Sequence, residues 1–196
     1  LLDKLFQLRS ANLHTKVDYH LLKGKVIVIF GGSSGIGQKI AEIAQEYGAQ
    51  VFSFSRKCSQ TDIADKNSVK EALQKVYNIT QRIDYVVNTA AILKKEPLMN
   101  MKQSTIEQMI RTNYDGMVNV AIESYPYLKE SKGQLLLYTS SSYTRGRAFY
   151  SIYSSTKAAA VNFTQALAQE WEPAEIKVNV INPERTKTPM RVMNFG

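Results

Sequence analysis

A tyrosine and a lysine lie four residues apart in the stretch YSIYSSTKAAAV, residues 150–161. If this stretch is helical, Tyr153 and Lys157 share one face and can approach a common ligand. A free phenol has a pKa of about 10, and a nearby ammonium group favours the ionised form, which brings the pair toward proton transfer at neutral pH. The pair could then pass a proton to a carbonyl oxygen as a hydride reaches the carbon. The same spacing is also common between residues that are only neighbours on a helix, so the prediction needs support from other residues.

Further polar side chains precede this pair in the chain. The serine cluster Ser140–Ser142 ends the apolar run LLLYT, and Asn113 lies inside the helical pattern before that run. A serine at the end of a strand supplies a hydroxyl for the same substrate oxygen. These residues favour chemistry over a chance spacing.

The stretch GGSSGIG, residues 31–37, stands between an apolar run and a helical pattern. Glycines at Gly31, Gly35 and Gly37 let the backbone approach a pyrophosphate, whose charge would lie against the amide groups of a helix that begins near Ile36. A plain tight turn is the alternative. In this context we predict a dinucleotide cofactor.

The next strand-like run ends in SFSRK. Sites that prefer NAD usually place an acid here for the ribose 2'-hydroxyl, but this chain has Ser55, Arg56 and Lys57. A guanidinium suits a 2'-phosphate, so we predict that NADP(H) is preferred over NAD(H). The alternative is that Arg56 is a solvated loop residue.

Apolar runs of strand length alternate with helical periodicity along the chain. We predict six strands and locate five of them, at 25–30, 50–55, 83–90, 133–141 and 176–182. We predict helices at about 36–48, 67–77, 104–125 and 150–171. Most of the strands are continuously apolar, which indicates a parallel sheet covered on both faces: a doubly wound, three-layer αβα domain of the Rossmann type. The domain is expected over 23–196, with residues 1–22 as an N-terminal extension or interdomain linker.

The composition narrows the classes of partner. The net charge is +8, from 25 Lys and Arg against 17 Asp and Glu, but the basic residues are scattered, which favours small phosphorylated molecules over nucleic acid. A single cysteine, Cys58, excludes an internal disulfide and fits a reducing, cytoplasmic setting. The two histidines, His14 and His20, lack a second cluster of ligand types, so no metal is expected. No apolar run approaches the roughly 20 residues that span a membrane.

In combination these motifs resemble the short-chain dehydrogenase/reductase family over about 23–190. GGSSGIG matches the family's cofactor turn, and NTAA, at 88–91, matches its Asn-Asn-Ala-Gly stretch. The resemblance implies that Asn113, Ser140, Tyr153 and Lys157 are the catalytic residues. It implies that Tyr153 is the acid and Ser140 orients the carbonyl. It also implies that Lys157 binds the nicotinamide ribose and lowers the pKa of the tyrosine, and that Asn113 holds a water in the proton relay.

The resemblance also implies a cofactor site. Its residues would be Gly31, Ser33, Ser34, Gly35, Ile36, Gly37, Ser55, Arg56, Lys57, Asp62, Ile63, Asn88, Ala90, Ala91, Tyr153, Lys157, Pro183 and Thr186. The chain departs from the family in three places. Phe30 replaces a threonine whose hydroxyl ties the turn to a neighbouring strand, Thr89 and Ala91 replace asparagine and glycine, and Glu184 replaces a glycine beside the nicotinamide amide.

Within the family, the stretch at 135–159 together with INPERTKTPMRVMNFG resembles the reductase half of bifunctional ribulose 5-phosphate reductase/CDP-ribitol pyrophosphorylases. The resemblance implies NADPH-dependent reduction of D-ribulose 5-phosphate to D-ribitol 5-phosphate, which feeds CDP-ribitol for surface polysaccharide, and a cytidylyltransferase domain upstream. A phosphosugar needs cations near the reacting carbonyl, and arginine forks suit phosphate. We predict Arg145, Arg147, Arg185 and Arg191 as candidates, with Arg145 and Arg185 holding the phosphate.

Two alternatives stay open. Another reductase of the same family, such as a 3-oxoacyl carrier-protein reductase, would share the fold, cofactor and catalytic residues but have a more apolar substrate loop. A non-catalytic dinucleotide-binding module would keep only the fold. The resemblance further implies a homodimer or homotetramer formed through the helices that carry Asn113 and Tyr153. Members of the family continue with a substrate-covering helix at the position after Gly196, and the sequence leaves open whether this protein has one.

Overall fold

The apolar runs form a parallel sheet of five strands in the computed structural model, which describes residues 20–195. The strands are β1 (Val26–Phe30), β2 (Gln50–Phe54), β3 (Tyr85–Asn88), β4 (Gln134–Tyr138) and β5 (Lys177–Ile181). Their order is β2-β1-β3-β4-β5, and every neighbouring pair is parallel. The doubly wound α/β prediction is confirmed. The count of six was one too many for the described residues, since only the five located runs form strands there.

Helices cover both faces of this sheet. They are α1 (Gly35–Glu46), α2 (Lys66–Thr80), α3 (Gln103–Ile110), α4 (Gly116–Ser131), α5 (Ser151–Trp171) and α6 (Pro189–Phe195). Successive side chains of β1 alternate between two cores, as the two-residue period of a strand requires. Val28 and Phe30 pack in the larger core with α2, α4 and α5, whereas Ile27 and Ile29 pack in the smaller core with α1.

The third predicted helix is longer than expected and is interrupted by a π-helical turn. α3 continues through the π turn Arg111–Asp115 into α4, so one helical rod extends to Ser131. The sequence prediction ended at Tyr125 because Pro126 follows, and proline removes one helical hydrogen bond. Leu128, beyond the proline, is completely buried against the sheet. Tertiary packing therefore carries the helix past Pro126.

The start of the packed domain lies before residue 23. Residues 1–19 of the predicted extension or linker lie outside the described residues. Leu22 is 1% exposed, and its backbone N–H donates to the carbonyl of Tyr47 at 2.9 Å. This residue is therefore part of the smaller core.

The direction of winding reverses between β1 and β3, which lie side by side at the centre of the sheet. In open α/β sheets a crevice forms at such a point, beyond the carboxyl ends of the strands. Here those ends are Phe30 on β1 and Asn88 on β3. The predicted glycine turn follows the first, and NTAA begins with the second.

Candidate active site

A cavity of about 660 Å³ opens at this edge of the sheet. Most predicted site residues line it: Gly31, Ser33, Ser34, Gly35, Ile36, Gly37, Ser55, Arg56, Lys57, Asp62, Ile63, Ala90, Ala91, Ser140, Arg147, Tyr153, Lys157, Pro183, Arg185, Thr186 and Arg191. Among the described residues, the predicted Asn88, Asn113 and Arg145 lie outside the cavity wall. The volume is within the usual range for a small-molecule or cofactor site.

The glycine turn has the shape that a pyrophosphate requires. Gly31 and Gly35 have φ values of +87° and +57°, in the left-handed region that favours glycine. A Cβ at Gly37 would collide with the carbonyl oxygen of Gly31. In the described structure Ser34, the N-cap of α1, makes no side-chain hydrogen bond to the helix, so the first amides of α1 are not capped by that side chain. These residues fit a dinucleotide at the positive end of the helix.

Thr89 on the neighbouring strand ties this turn in place. Its hydroxyl donates to the carbonyl oxygens of Phe30 at 3.0 Å and Gly31 at 3.3 Å. The absence of a side chain at Gly31 leaves room for this hydroxyl, because a Cβ at Gly31 would lie only 2.7 Å from it. Phe30 cannot supply a hydroxyl to this junction, and Thr89 supplies one from the other strand. Two of the departures therefore offset one another.

The loop after β2 is a tight turn built around Ser55. The Ser55 backbone N–H donates to the Ser59 hydroxyl at 2.9 Å, and the Ser55 hydroxyl accepts from the backbone N–H of Cys58 at 3.1 Å. These bonds fix the backbone at Arg56 and Lys57, whose side chains line the cavity. The turn thus holds two cations at the end of β2.

The segment Asp62–Ile63 is held by residues that sequence reasoning missed. Gly116 lies so close that a Cβ there would be 2.6 Å from the Ile63 side chain, and the Asn119 side-chain amide donates to the Ile63 carbonyl at 2.9 Å. The Asp62 carboxylate accepts from the backbone N–H of Ala64 at 3.0 Å. A glycine inside an amphipathic helix was the available signal for this close approach.

Ser140 and Tyr153 both line the cavity, and the Ser140 hydroxyl accepts from the Ser142 hydroxyl at 3.2 Å. Burial raises the pKa of the Tyr153 phenol, and the nearby Ser140 hydroxyl opposes that rise. Ser140 is also the N-cap of the short 3-10 turn Ser141–Tyr143, which fixes its backbone. A phenol that stays protonated at neutral pH is suited to give up a proton to a substrate oxygen.

Lys157 is buried below Tyr153. Its ammonium donates to the carbonyl of Tyr138 at 2.9 Å and lies 5.8 Å from the centre of the Tyr153 ring. Burial lowers the pKa of Lys157 to about 8. The Thr139 hydroxyl donates to the Lys157 carbonyl at 2.7 Å, so the end of β4 fixes this turn of α5.

Asn113 lies within the π turn, behind the cavity wall. Its side-chain oxygen accepts from the Ile92 N–H at 2.8 Å, and its amide donates to the Ile92 carbonyl at 2.9 Å and the Thr156 hydroxyl at 3.2 Å. The side chain therefore joins the segment after β3 to α5. The helical periodicity of the sequence does not reveal a π turn, which shifts the backbone hydrogen bonds by one residue.

Charged side chains from two separate segments meet the substrate end of the cavity. Arg147 precedes α5, and Arg185 and Arg191 follow β5. The predicted partner Arg145 does not line the described cavity, while Glu184 does. Sequence reasoning also missed Tyr138 and Tyr150, which line the cavity from the end of β4 and the start of α5. Burial raises the pKa of each of these two phenols.

The described residues hold neither a cluster of metal ligands nor a membrane-spanning helix. Across 20–195, no three His, Cys, Asp or Glu side chains are grouped as a metal site. In that range no helix has the length and apolar character needed to cross a membrane.

Comparison with known proteins gives a consistent result. Residues 54–195 match the short chain dehydrogenase family. The chain is 48% identical over 198 residues to the bifunctional ribulose 5-phosphate reductase/CDP-ribitol pyrophosphorylase Bcs1 of Haemophilus influenzae. That match covers 99% of this chain and 42% of the relative, so the chain spans less than half of the relative's length.

Solved structures share the fold. A 3-ketoacyl-(acyl-carrier-protein) reductase from Brucella melitensis complexed with NADH is 24% identical, with a TM-score of 0.83, and 88% of this chain matches 81% of that one. A short chain dehydrogenase from Burkholderia cenocepacia in complex with NADP is 27% identical, with a TM-score of 0.79, and 86% of this chain matches 77% of that one.

Proposed function

This chain belongs to the short-chain dehydrogenase family, and from that membership we propose that it reduces D-ribulose 5-phosphate to D-ribitol 5-phosphate with NADPH. The observation that carries the proposal is that one cavity contains both a candidate proton donor and a group of arginines. Ser140, Tyr153 and Lys157 line one cavity, with the Ser140 hydroxyl near enough to oppose the rise in the pKa of Tyr153. Arg147, Arg185 and Arg191 line the same cavity. A carbonyl and a phosphate on one small substrate need both features. The name of the 48% identical relative supports the same substrate.

The residues of the chain divide the reaction between them. NADPH, when bound, supplies a hydride to the carbonyl carbon. Ser140 hydrogen bonds the carbonyl oxygen and holds it against Tyr153, whose phenol gives its proton to that oxygen. The charged Lys157 lies close enough to stabilise the phenolate that remains. The Asn113 side chain hydrogen bonds to Ile92 and Thr156 and so fixes the position of α5 relative to the segment after β3.

NADPH is the proposed cofactor because the Ser55 turn fixes Arg56 and Lys57 at the end of β2, where a ribose 2'-phosphate would lie. An acid that would favour NADH is absent from residues 55–57 of the described structure. We expect Arg56→Ala to lower kcat/KM for NADPH at least tenfold while kcat/KM for NADH changes less than threefold. Equal losses with both cofactors would contradict the preference.

The proposal extends to the larger protein. A cytidylyltransferase that consumes D-ribitol 5-phosphate would account for a fused or upstream domain, and for supply of CDP-ribitol to polysaccharide synthesis in the cytoplasm. The name of the relative combines these two activities. A homodimer or homotetramer is the proposed assembly.

The test is NADPH oxidation by the chain at its native length with three parallel substrates: D-ribulose 5-phosphate, unphosphorylated ribulose and an acetoacetyl thioester. We expect fast turnover only of the phosphorylated pentulose. Fast turnover of the thioester would instead identify an acyl carrier-protein type of reductase.

A pair of variants tests catalysis itself. Tyr153→Phe is expected to lose at least 100-fold in kcat, since it removes the proton donor. Tyr143→Phe makes the same change beside Ser140–Ser142 at a residue outside the cavity wall and should keep the parental rate. Absence of turnover in the parent with all three substrates would favour a non-catalytic dinucleotide-binding module.

A further inference from the structure

Tyr150 lies at the start of α5, three residues before Tyr153, and lines the same cavity. It is 8% exposed, and its hydroxyl oxygen is covered by surrounding atoms. Three residues of helix rise by about 4.5 Å, so Tyr150 is less than one turn from the phenol that donates the proton. Residues that line the cavity next to Tyr150 can therefore contact a small substrate whose carbonyl oxygen lies at Tyr153.

Two arginines from different segments line the same cavity as Tyr150: Arg147 and Arg191. Burial raises the pKa of Tyr150, and the positive charges of these two arginines oppose that rise. Arg147 comes from the segment before α5 and donates to the Ser141 hydroxyl at 3.4 Å. Arg191 comes from α6, where its backbone N–H donates to the Thr188 hydroxyl at 3.2 Å.

Such an arrangement favours an anion. Two guanidinium groups in one cavity wall repel each other, and the attraction of both to a doubly charged phosphate bound between them offsets that repulsion. The positive end of α5, a helix of 21 residues, adds to the potential at the same place. Among the described residues, the acids in the cavity wall are Glu184, after β5, and Asp62, at the cofactor end.

We propose that the substrate phosphate binds between Arg147 and Arg191, with Tyr150 as the positioning residue that holds the two guanidinium groups apart at the correct spacing. This inference rests on the proposed function and makes its substrate site specific. It differs from the sequence prediction, which paired Arg145 with Arg185. The short distance from Tyr150 to Tyr153 selects a small phosphorylated ketone over a substrate whose phosphate is many bonds from the carbonyl.

The test measures KM for D-ribulose 5-phosphate, for unphosphorylated ribulose and for NADPH in single variants of the chain at its native length. Arg147→Ala and Arg191→Ala should each raise KM for the phosphosugar by 10- to 100-fold, and neither KM for ribulose nor KM for NADPH should change more than threefold. Arg145→Ala makes the same charge change two residues away, outside the cavity wall, and should raise KM for the phosphosugar less than threefold.

Inorganic phosphate provides a second readout. It should inhibit the parent in competition with the phosphosugar, and Arg147→Ala and Arg191→Ala should weaken that inhibition at least tenfold. Tyr150→Phe should raise KM for the phosphosugar about three- to tenfold with kcat within twofold of the parent. If the hydroxyl had a purely structural role, Tyr150→Phe would lower kcat and the melting temperature instead of raising KM at an almost unchanged kcat.

Three results would overturn the proposal. An increase in KM for NADPH but not for the phosphosugar would assign the arginines to the cofactor. Equal effects of Arg145→Ala and Arg147→Ala would favour the pair predicted from sequence. Phosphate binding, measured by calorimetry, that is the same in the parent and both variants would exclude this subsite. If the parent does not reduce D-ribulose 5-phosphate but the variants lose phosphate binding, the proposed function fails and the anion site stands.

Discussion

Lys157 carries its charge at a cost to the stability of the protein without cofactor. A fall of its pKa from an ordinary 10.5 to about 8 corresponds to roughly 3 kcal/mol at neutral pH. Lys157→Met removes the buried charge but leaves the Tyr138 carbonyl without its donor, which costs about 1 kcal/mol. We expect the variant to be inactive and to unfold at pH 7 with a free energy about 1 to 2 kcal/mol above that of the parent, measured with urea.

The pH dependence of this difference identifies its cause. Between pH 8 and 10.5 the unfolded chain holds a proton on Lys157 that the folded protein has released, so this group makes stability rise with pH. Below pH 8 both states are protonated and the full penalty is present. The advantage of Lys157→Met should therefore shrink as pH rises from 8 toward 10. A difference that is independent of pH would show that the effect comes from packing.

Thr89 is expected to act on cofactor affinity through the glycine turn. Thr89→Val removes the hydroxyl and keeps the shape, which leaves the carbonyls of Phe30 and Gly31 without this donor. We expect the dissociation constant for NADPH to rise about five- to tenfold, from the loss of roughly 1 kcal/mol in positioning the turn. Fluorescence titration measures it.

Thr89→Ser is the matched variant, since it keeps the hydroxyl and loses only a methyl group. It should bind NADPH within twofold of the parent. If serine and valine weaken binding equally, the methyl packing and not the hydrogen bonds positions the turn.

The Thr89 contact also shows what the sequence could and could not predict at single residues. The glycine turn, the cluster Ser140–Ser142, Tyr153 and Lys157 were expected at one site because each follows a strand end or lies on one helix face, and the family resemblance selected Ser140 from the cluster. The compensation for Phe30 by the Thr89 hydroxyl was not predicted. The two residues are 59 apart in the sequence, and only the pairing of β1 with β3 brings them together. The same applies to Tyr150, whose neighbours come from two distant segments.

Asn113 connects two elements, and its loss should destabilise both. Asn113→Ala leaves the N–H and the carbonyl of Ile92 without their partners, which costs about 2 to 3 kcal/mol of unfolding free energy. We expect kcat to fall at least tenfold as α5 and the π turn lose their register, while KM for NADPH changes less. Chemical denaturation and steady-state kinetics measure the two effects.

Thr156→Val is the comparison for this experiment, because it breaks the 3.2 Å bond to Asn113 and leaves both contacts with Ile92 intact. It should cost about 1 kcal/mol and less than threefold in kcat. Similar losses in the two variants would assign the effect to α5 alone and not to the junction.

At the level of elements, the sequence located β1, β3 and β4 within a few residues because these strands are buried on both faces and therefore mostly apolar. The edge strands β2 and β5 are partly exposed and were located by their apolar and β-branched residues. The helix ends were less well predicted where packing opposed local preference, as at Pro126. α6 was not predicted, because Pro189–Phe195 is a single short stretch without a clear apolar face in the sequence. It nevertheless places Arg191 at the cavity, so sequence reasoning named this arginine but missed the helix that positions it.

The whole molecule leaves apolar side chains exposed on the helical rod that carries the site. Ile110 is 40% exposed and Tyr114 is 39% exposed, four residues apart and therefore on one side of the rod. Phe149, just before α5, is 49% exposed. Burial of the exposed part of such side chains contributes roughly 1 kcal/mol each, which favours association of two copies through this face.

Placing a charge on this face should separate the copies if it is the interface. We expect the parent to be a dimer or tetramer at micromolar concentration by light scattering and Ile110→Asp to be largely monomeric, because a carboxylate buried between two copies lacks a partner. Ile79→Asp makes the same change at a side chain that is 60% exposed on α2 and should keep the parental mass. A monomeric parent, or equal dissociation by both variants, would exclude this face as the interface. Since the rod also holds Asn113, a monomer with reduced kcat and an unchanged melting temperature would show that association holds the π turn in its active form.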